Sequence, residues 1–172
     1  VADPGMPQRL AVHAVERDLE ILDLGRAEYN QVTLASRLMA SVDRDLALEV
    51  LGVGTLRGVL QRVGAEWCLV QGPAGDWVIR SQAIAAVQHA SLRSVPEVAW
   101  SPVTRLGFGS ALRRLAEAGE HCLVHQLDGV QHDVRLRRVG ADFVEAVAGE
   151  GKTLLLGFGA IAVGVLTVAY GR

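Results

Sequence analysis

Cysteine is nearly absent from this chain, which has two, Cys68 and Cys122, in 172 residues. They form no CxxC or CxxxH spacing, which argues against a zinc ribbon or a redox pair, and both are expected as reduced, buried thiols. Aromatic residues make up 5% of the sequence. Base-stacking platforms need exposed rings, and Trp67, Trp77, Phe143 and Phe158 are expected in the core instead. An excess of one charge is also missing: the formal net charge is -2, and no block is basic enough to announce nucleic acid, although local clustering of arginine could still make a phosphate-binding surface. No GxSxG, P-loop, HExxH or βαβ-embedded GxGxxG occurs, so no enzyme and no cofactor are expected. The Gly52-x-Gly54 and Gly107-x-Gly109 spacings read as a turn and a helix entry. Val1 to Gln8 lacks a charged segment followed by an apolar one, which points to a cytoplasmic rather than secreted chain.

Half of the sequence is hydrophobic, enough for a core without staples. Its main regularity is internal. Val63-Gly64-Ala65-Glu66-Trp67 matches Val139-Gly140-Ala141-Asp142-Phe143 at an offset of 76. Ala83-Ile84-Ala85 matches Ala160-Ile161-Ala162, and Arg37-Leu38 matches Arg114-Leu115, both at 77. Three separated matches with one-residue slips indicate a module present twice, at about 33 to 90 and 109 to 168. Each copy opens with apolar residues at helical spacing. Leu34, Leu38 and Val42 follow a Thr33 cap, and Leu112 and Leu115 follow a Ser110 cap and precede Gly119.

Beyond each helix the period falls to two. A two-residue turn at Asp128-Gly129 would place Leu123, Leu127, Val130, Val134 and Leu136 on one face. That register sets His125 opposite His132, with His121 on the same face. The three histidines are expected to be structural; a shared zinc or a pH-sensitive contact is the alternative. The glycine of each VGA step reads as a tight bend into a strand starting at Trp67 or Phe143. Two short strands then close each copy, Asp76 to Arg80 with Ala83 to Val87, and Lys152 to Leu156 with Ala160 to Val168. Thr153 to Tyr170 carries no charge and is long enough for a membrane helix, but Gly157, Gly159 and Gly164 and its β-branched residues favour buried strands.

Residues 91–108, with Pro96, Pro102 and Gly107, form a linker too apolar at Val95, Val98 and Trp100 to hang free. Ahead of the first module, Val12, Val15, Leu19 and Leu22 are spaced three, four, three on a charged background. This helix is expected to dock on the chain's own modules or pair with a second subunit.

A helix followed by five short bent strands resembles the Sm-like fold, with Arg57-Gly58-Val59-Leu60 and Trp67-Cys68-Leu69-Val70 similar to its glycine-bearing strand pair. Val32 to Leu38, Ser94 to Trp100 and Arg137 to Phe143 are similar to an actinobacterial family carrying two such modules; this resemblance spans about four-fifths of the chain and brings no activity with it. It implies a mainly β fold with short helices: two tandem Sm-like or SH3-like small β-barrels, each led by a short helix. The implied divisions are an N-terminal tail and helix at 1–32, module 1 at 33–90, a packed linker at 91–108 and module 2 at 109–172. The bends lack the asparagine that holds a base in Sm proteins, and no Arg-Gly pair stands between the last two strands of either module.

Arg135, Arg137 and Arg138 concentrate charge in module 2, with Arg57, Arg62 and Arg80 as counterparts in module 1. Alternation puts Arg135 and Arg137 on one face. Asp133, Asp142 and Glu145 lie close enough in sequence to neutralise them. The expected function is a non-catalytic protein-interaction or assembly module, with a protein partner or homo-oligomer and no membrane. The alternative is a nucleic-acid-associated regulator that uses those six arginines.

Overall fold

The computed structural model describes residues 6–167, which fall into two units, one ending at Thr33 and one beginning at Leu34. The first is the helix α1, Met6–Tyr29. Its Ala, Leu, Glu and Arg content favours helix, and short-range pairs such as His13 Nδ1 to Glu16 Oε2 at 3.3 Å line its surface. Val12, Val15, Leu19 and Leu22 are all exposed, as are Leu10, Ile21 and Leu24, so the apolar residues are not confined to one stripe.

The second unit begins with α2, Leu34–Met39, and continues through β1 (Asp45–Val50), β2 (Gly54–Val63), β3 (Trp67–Gly72), β4 (Gly75–Arg80) and β5 (Ile84–Gln88). After the linker come α3 (Phe108–Ala118), β6 (His121–Gln126), β7 (Gln131–Val139), β8 (Phe143–Ala148), β9 (Thr153–Gly157) and β10 (Ile161–Thr167). All ten strands make one open sheet in the order β5-β1-β2-β3-β4-β10-β6-β7-β8-β9. The expectation of two tandem small β-barrels is therefore wrong. A barrel needs its end strands to find each other. Here β4 pairs antiparallel with β10, with Ile79 opposite Val163 and Val78 opposite Gly164, so pairing passes into the other half and the sheet extends.

The sheet carries two cores on opposite faces. Alternation sends Cys68, Val70 and Ile79 into one, with Leu38, Leu46, Leu48 and Leu60. Their strand neighbours Leu69 and Val78 enter the other, with Phe108, Leu112, Val134 and Val144. Central strands buried on both faces read as continuous apolar runs, and this explains the second part of the uncharged C-terminal segment, whose first part is the edge strand β9. Its β10 lies between β4 and β6, with Ile161, Ala162 and Val163 all buried, while residues 168–170 of the run are outside the described residues. Among the described residues no helix is long and apolar enough to cross a membrane.

Each VGA step is a bend held the same way: the Gly64 amide donates to Trp67 O at 2.8 Å and the Gly140 amide to Phe143 O at 2.8 Å. The glycines are needed because the aromatic ring folds back over them. A Cβ at Gly64 would sit 2.2 Å from Trp67 Nε1, and one at Gly140 2.4 Å from Phe143 Cε1. Phe143 is consequently 37% exposed rather than a core residue.

Two more expectations are corrected. The second module's helix starts at Phe108 with Gly107 as its cap, so Ser110 lies in its first turn; Gly119 does end it, at φ 66°. In the linker Trp100 is buried and Val95 packs on the first core, but Val98 is 84% exposed at the tip of a 3-10 turn.

Candidate functional site

An open sheet has two ends, and their chemistry is the most distinctive surface feature of this unit. Among the described residues β5 pairs with β1 alone and β9 with β8 alone, so each leaves a row of backbone N–H and C=O groups without a strand partner. Natural edges are usually blunted by Lys, Pro or inward charges. Neither Ile84-Ala85-Ala86-Val87-Gln88 nor Thr153-Leu154-Leu155-Leu156-Gly157 contains any of these. Leu155 is 67% exposed, in the middle of its strand.

The two edges correspond to the two sides of the junction inside the sheet. β5 has an irregular register at Ala85 on β1, as β10 has at Ala162 on β6. β9 follows β8 as β4 follows β3. The offset of 77 that relates Ala85 to Ala162 also relates Val78 to Leu155 and Val87 to Gly164.

The six arginines are spread across the unit. β7 is irregular between Leu136 and Arg138, which leaves both Arg137 and Arg138 beside Glu145, at 4.0 and 2.9 Å. Arg80 donates from Nη1 to Phe158 O. Arg57 lines a shallow cavity with Asp45 and His89. Arg62 lines a separate cleft with Arg114, and Arg135 is exposed on β7. Half of the predicted phosphate contacts thus already have partners on the protein.

The histidines are arranged otherwise than the hairpin reading expects. The Gln126 amide donates to Val130 O at 2.8 Å, so the β6–β7 hairpin closes around three residues, Leu127-Asp128-Gly129, with Gly129 at φ 87° and its amide donating to Gln126 O at 3.1 Å. This is a turn followed by a left-handed residue instead of a two-residue turn. The one-residue change of register sets His125 opposite Gln131 and His132 opposite Val124. It also reverses β6, because a slip of one exchanges the two faces of a strand. Cys122 and Val124 are the buried partners of Val134 and Leu136 in the second core. His121 meets Asp133 at 3.2 Å and His132 meets Gln126 at 3.0 Å, so the facing-imidazole site does not form.

His125 packs near Trp77, with ring centroids 5.8 Å apart. It is 6% exposed, and neither ring nitrogen has a partner among the described residues. Loss of hydration holds its pKa below the usual histidine value. Burial pushes the Cys68 thiol up to about 12; burial, reinforced by Asp133, pushes Cys122 to about 11. Both are therefore poor nucleophiles near neutral pH. No family model, curated protein or solved structure matches this chain.

Proposed function

We propose that this chain is a non-catalytic assembly module that joins copies of itself through its sheet edges, β9 of one copy pairing antiparallel with β5 of the next. The observation that carries this reading is the β4–β10 junction: the chain already contains one antiparallel pairing of a fourth strand with a fifth, and it leaves the corresponding fourth and fifth strands unpaired at its ends. Strand addition satisfies the exposed backbone groups, and the absence of gatekeeper residues on both edges favours it. Because the two edges differ, the contact is head to tail and gives either a closed ring or a filament.

Carrying over the internal register, where Gly164 faces Val78, sets Val87 of one copy opposite Leu155 of the next. Directly opposed residues in an antiparallel pair have Cα atoms about 4.5–5.5 Å apart, within disulfide reach. A chain carrying both Val87→Cys and Leu155→Cys is expected to form covalent multimers on mild oxidation, while each single variant does not; the native thiols are buried and do not compete. A strict monomer by light scattering, together with no cross-linked ladder from the double variant, overturns the reading.

A further inference from the structure

A cleft of about 310 Å³ in the sheet unit is not used by the edge-pairing reading. Four stretches form its walls: Met39 and Val42 at and just beyond the end of α2, Val63 and Trp67 at the first VGA bend, Val103 and Leu106 in the linker, and Ala111 and Arg114 in α3. The linker wall is held in place. The Trp67 indole N–H donates to Leu106 O at 2.9 Å, and upstream the buried Trp100 donates to Val95 O at 2.9 Å. Downstream, Phe108 is buried against Phe158, edge to face at 5.4 Å.

The charged residues of the cleft have one sign, beside the neutral polar Gln61, Ser101, Thr104 and Ser110. Arg62 and Arg114 line it, no carboxylate does, and neither guanidinium has an ion pair or hydrogen bond among the described residues. Elsewhere in the sheet arginines do meet acids. Arg138, which occupies in β7 the place of Arg62 in β2, is paired across the ladder with Glu145, whereas Arg62 is paired with Leu69. The apolar walls are also incompletely covered, with Val103 63% exposed. A mostly apolar, largely preformed cavity with a few convergent polar groups is the usual form of a small-molecule site, and unpaired guanidiniums select oxyanions.

We infer that the cleft formed by the first bend, the linker and α3 binds a small molecule with an apolar body and one oxyanion head, a carboxylate or a phosphate, the head held by Arg62 and Arg114. The volume is at the lower end of ligand pockets, which suits a short chain or a single ring.

Calorimetric titration of the intact chain, with tryptophan fluorescence as a second signal because Trp67 is in the wall, tests this with four probes. Octanoate and octyl phosphate carry both parts of the proposed ligand, octanol lacks the charge and inorganic phosphate lacks the body. At least one of the first two is expected to saturate, and the tighter of them identifies the head group; octanol and inorganic phosphate are each expected to bind at least about tenfold more weakly. Both arginines are exposed, so the double variant Arg62→Ala with Arg114→Ala retains the fold. It is expected to lose about tenfold for the charged probe and nothing for octanol. The inference is overturned if neither amphiphile binds, if octanol binds as tightly as they do, or if the double variant titrates like the parent. These titrations are read at the cleft and do not depend on whether edges pair.

Discussion

The first five and last five strands of the sheet share a main-chain pattern and differ in what their side chains do with it. Both follow the order fifth, first, second, third, fourth. Leu51 N donates to Ala83 O and Leu127 N to Ala160 O, both at 2.8 Å; Ser81 N donates to Glu66 O at 2.9 Å and Phe158 N to Asp142 O at 2.8 Å. In the first half, however, the aromatic that covers the bend glycine is Trp67, whose N–H ties down the linker. In the second it is Phe143, which has no such donor. The arginine beyond the second strand's irregularity is unpaired in the first half and paired with Glu145 in the second. Backbone geometry is therefore held in common, while the cleft depends on a single indole N–H and on one missing acid.

The bend glycines offer the strongest way to break this comparison. A Cβ clashes with the ring at either site, but the rings differ in freedom to leave. Phe143 is partly exposed and can swing into water, whereas Trp67 must give up its bond to Leu106 and its packing on the second core. Gly64→Ala is expected to cost about 3 kcal/mol and Gly140→Ala about 1 kcal/mol. Urea unfolding measures both. Equal costs would mean that neither the indole bond nor that packing holds Trp67 in place.

The bend itself is legible in the sequence because a glycine ahead of a strand is a local signal, but the ring that folds back over it is not, since Trp67 and Phe143 read as core residues and Phe143 is 37% exposed. The reading of His125 failed for an equally local reason. Asp128-Gly129 suits the last two places of a three-residue loop with a left-handed glycine as well as it suits a two-residue turn, and the one-residue difference exchanged the faces of β6. Sheet closure was not legible at all, since whether β4 finds a strand of its own half or β10 is decided by pairing across some eighty residues. The cleft was hidden for the same reason. Of its charged residues only Arg62 reads as a candidate contact, while Arg114 is marked by the repeat alone and Trp67 reads as core.

His125 sharpens the comparison through pH. Its counterpart at the common offset of 76 is Glu49, which is exposed on β1, so only the second half buries a titratable group at this position. The folded state holds its pKa below the unfolded value. Between those two values the unfolded chain binds the extra proton, so the contribution is fully present above the ordinary histidine pKa of about 6.5 and is lost as pH falls below it. One proton gives a slope of at most about 1.4 kcal/mol per pH unit. Unfolding curves for the parent and for His125→Leu, recorded from neutral pH downward, are expected to diverge below about pH 6.5, with the variant less acid-sensitive. Parallel curves would show that the buried imidazole is not what titrates.

The smallest effect concerns the acid that the first half lacks. Glu145→Leu gives the second half the pattern of Arg62 and Leu69. Glu145 is only 15% exposed, but Arg137 and Arg138 extend into solvent at 61% and 81%. Their loss of a partner leaves no charge stranded in the interior. Exposed pairs of this kind contribute about 0.2–1 kcal/mol, and Leu155, the residue facing Glu145 from β9, offers the new leucine an apolar neighbour that offsets part of the loss. Stability is expected to change by less than about 1 kcal/mol, read by the same urea titration. A loss of 3 kcal/mol or more, the range for breaking a buried ion pair, would instead place Glu145 at the centre of the second half's packing.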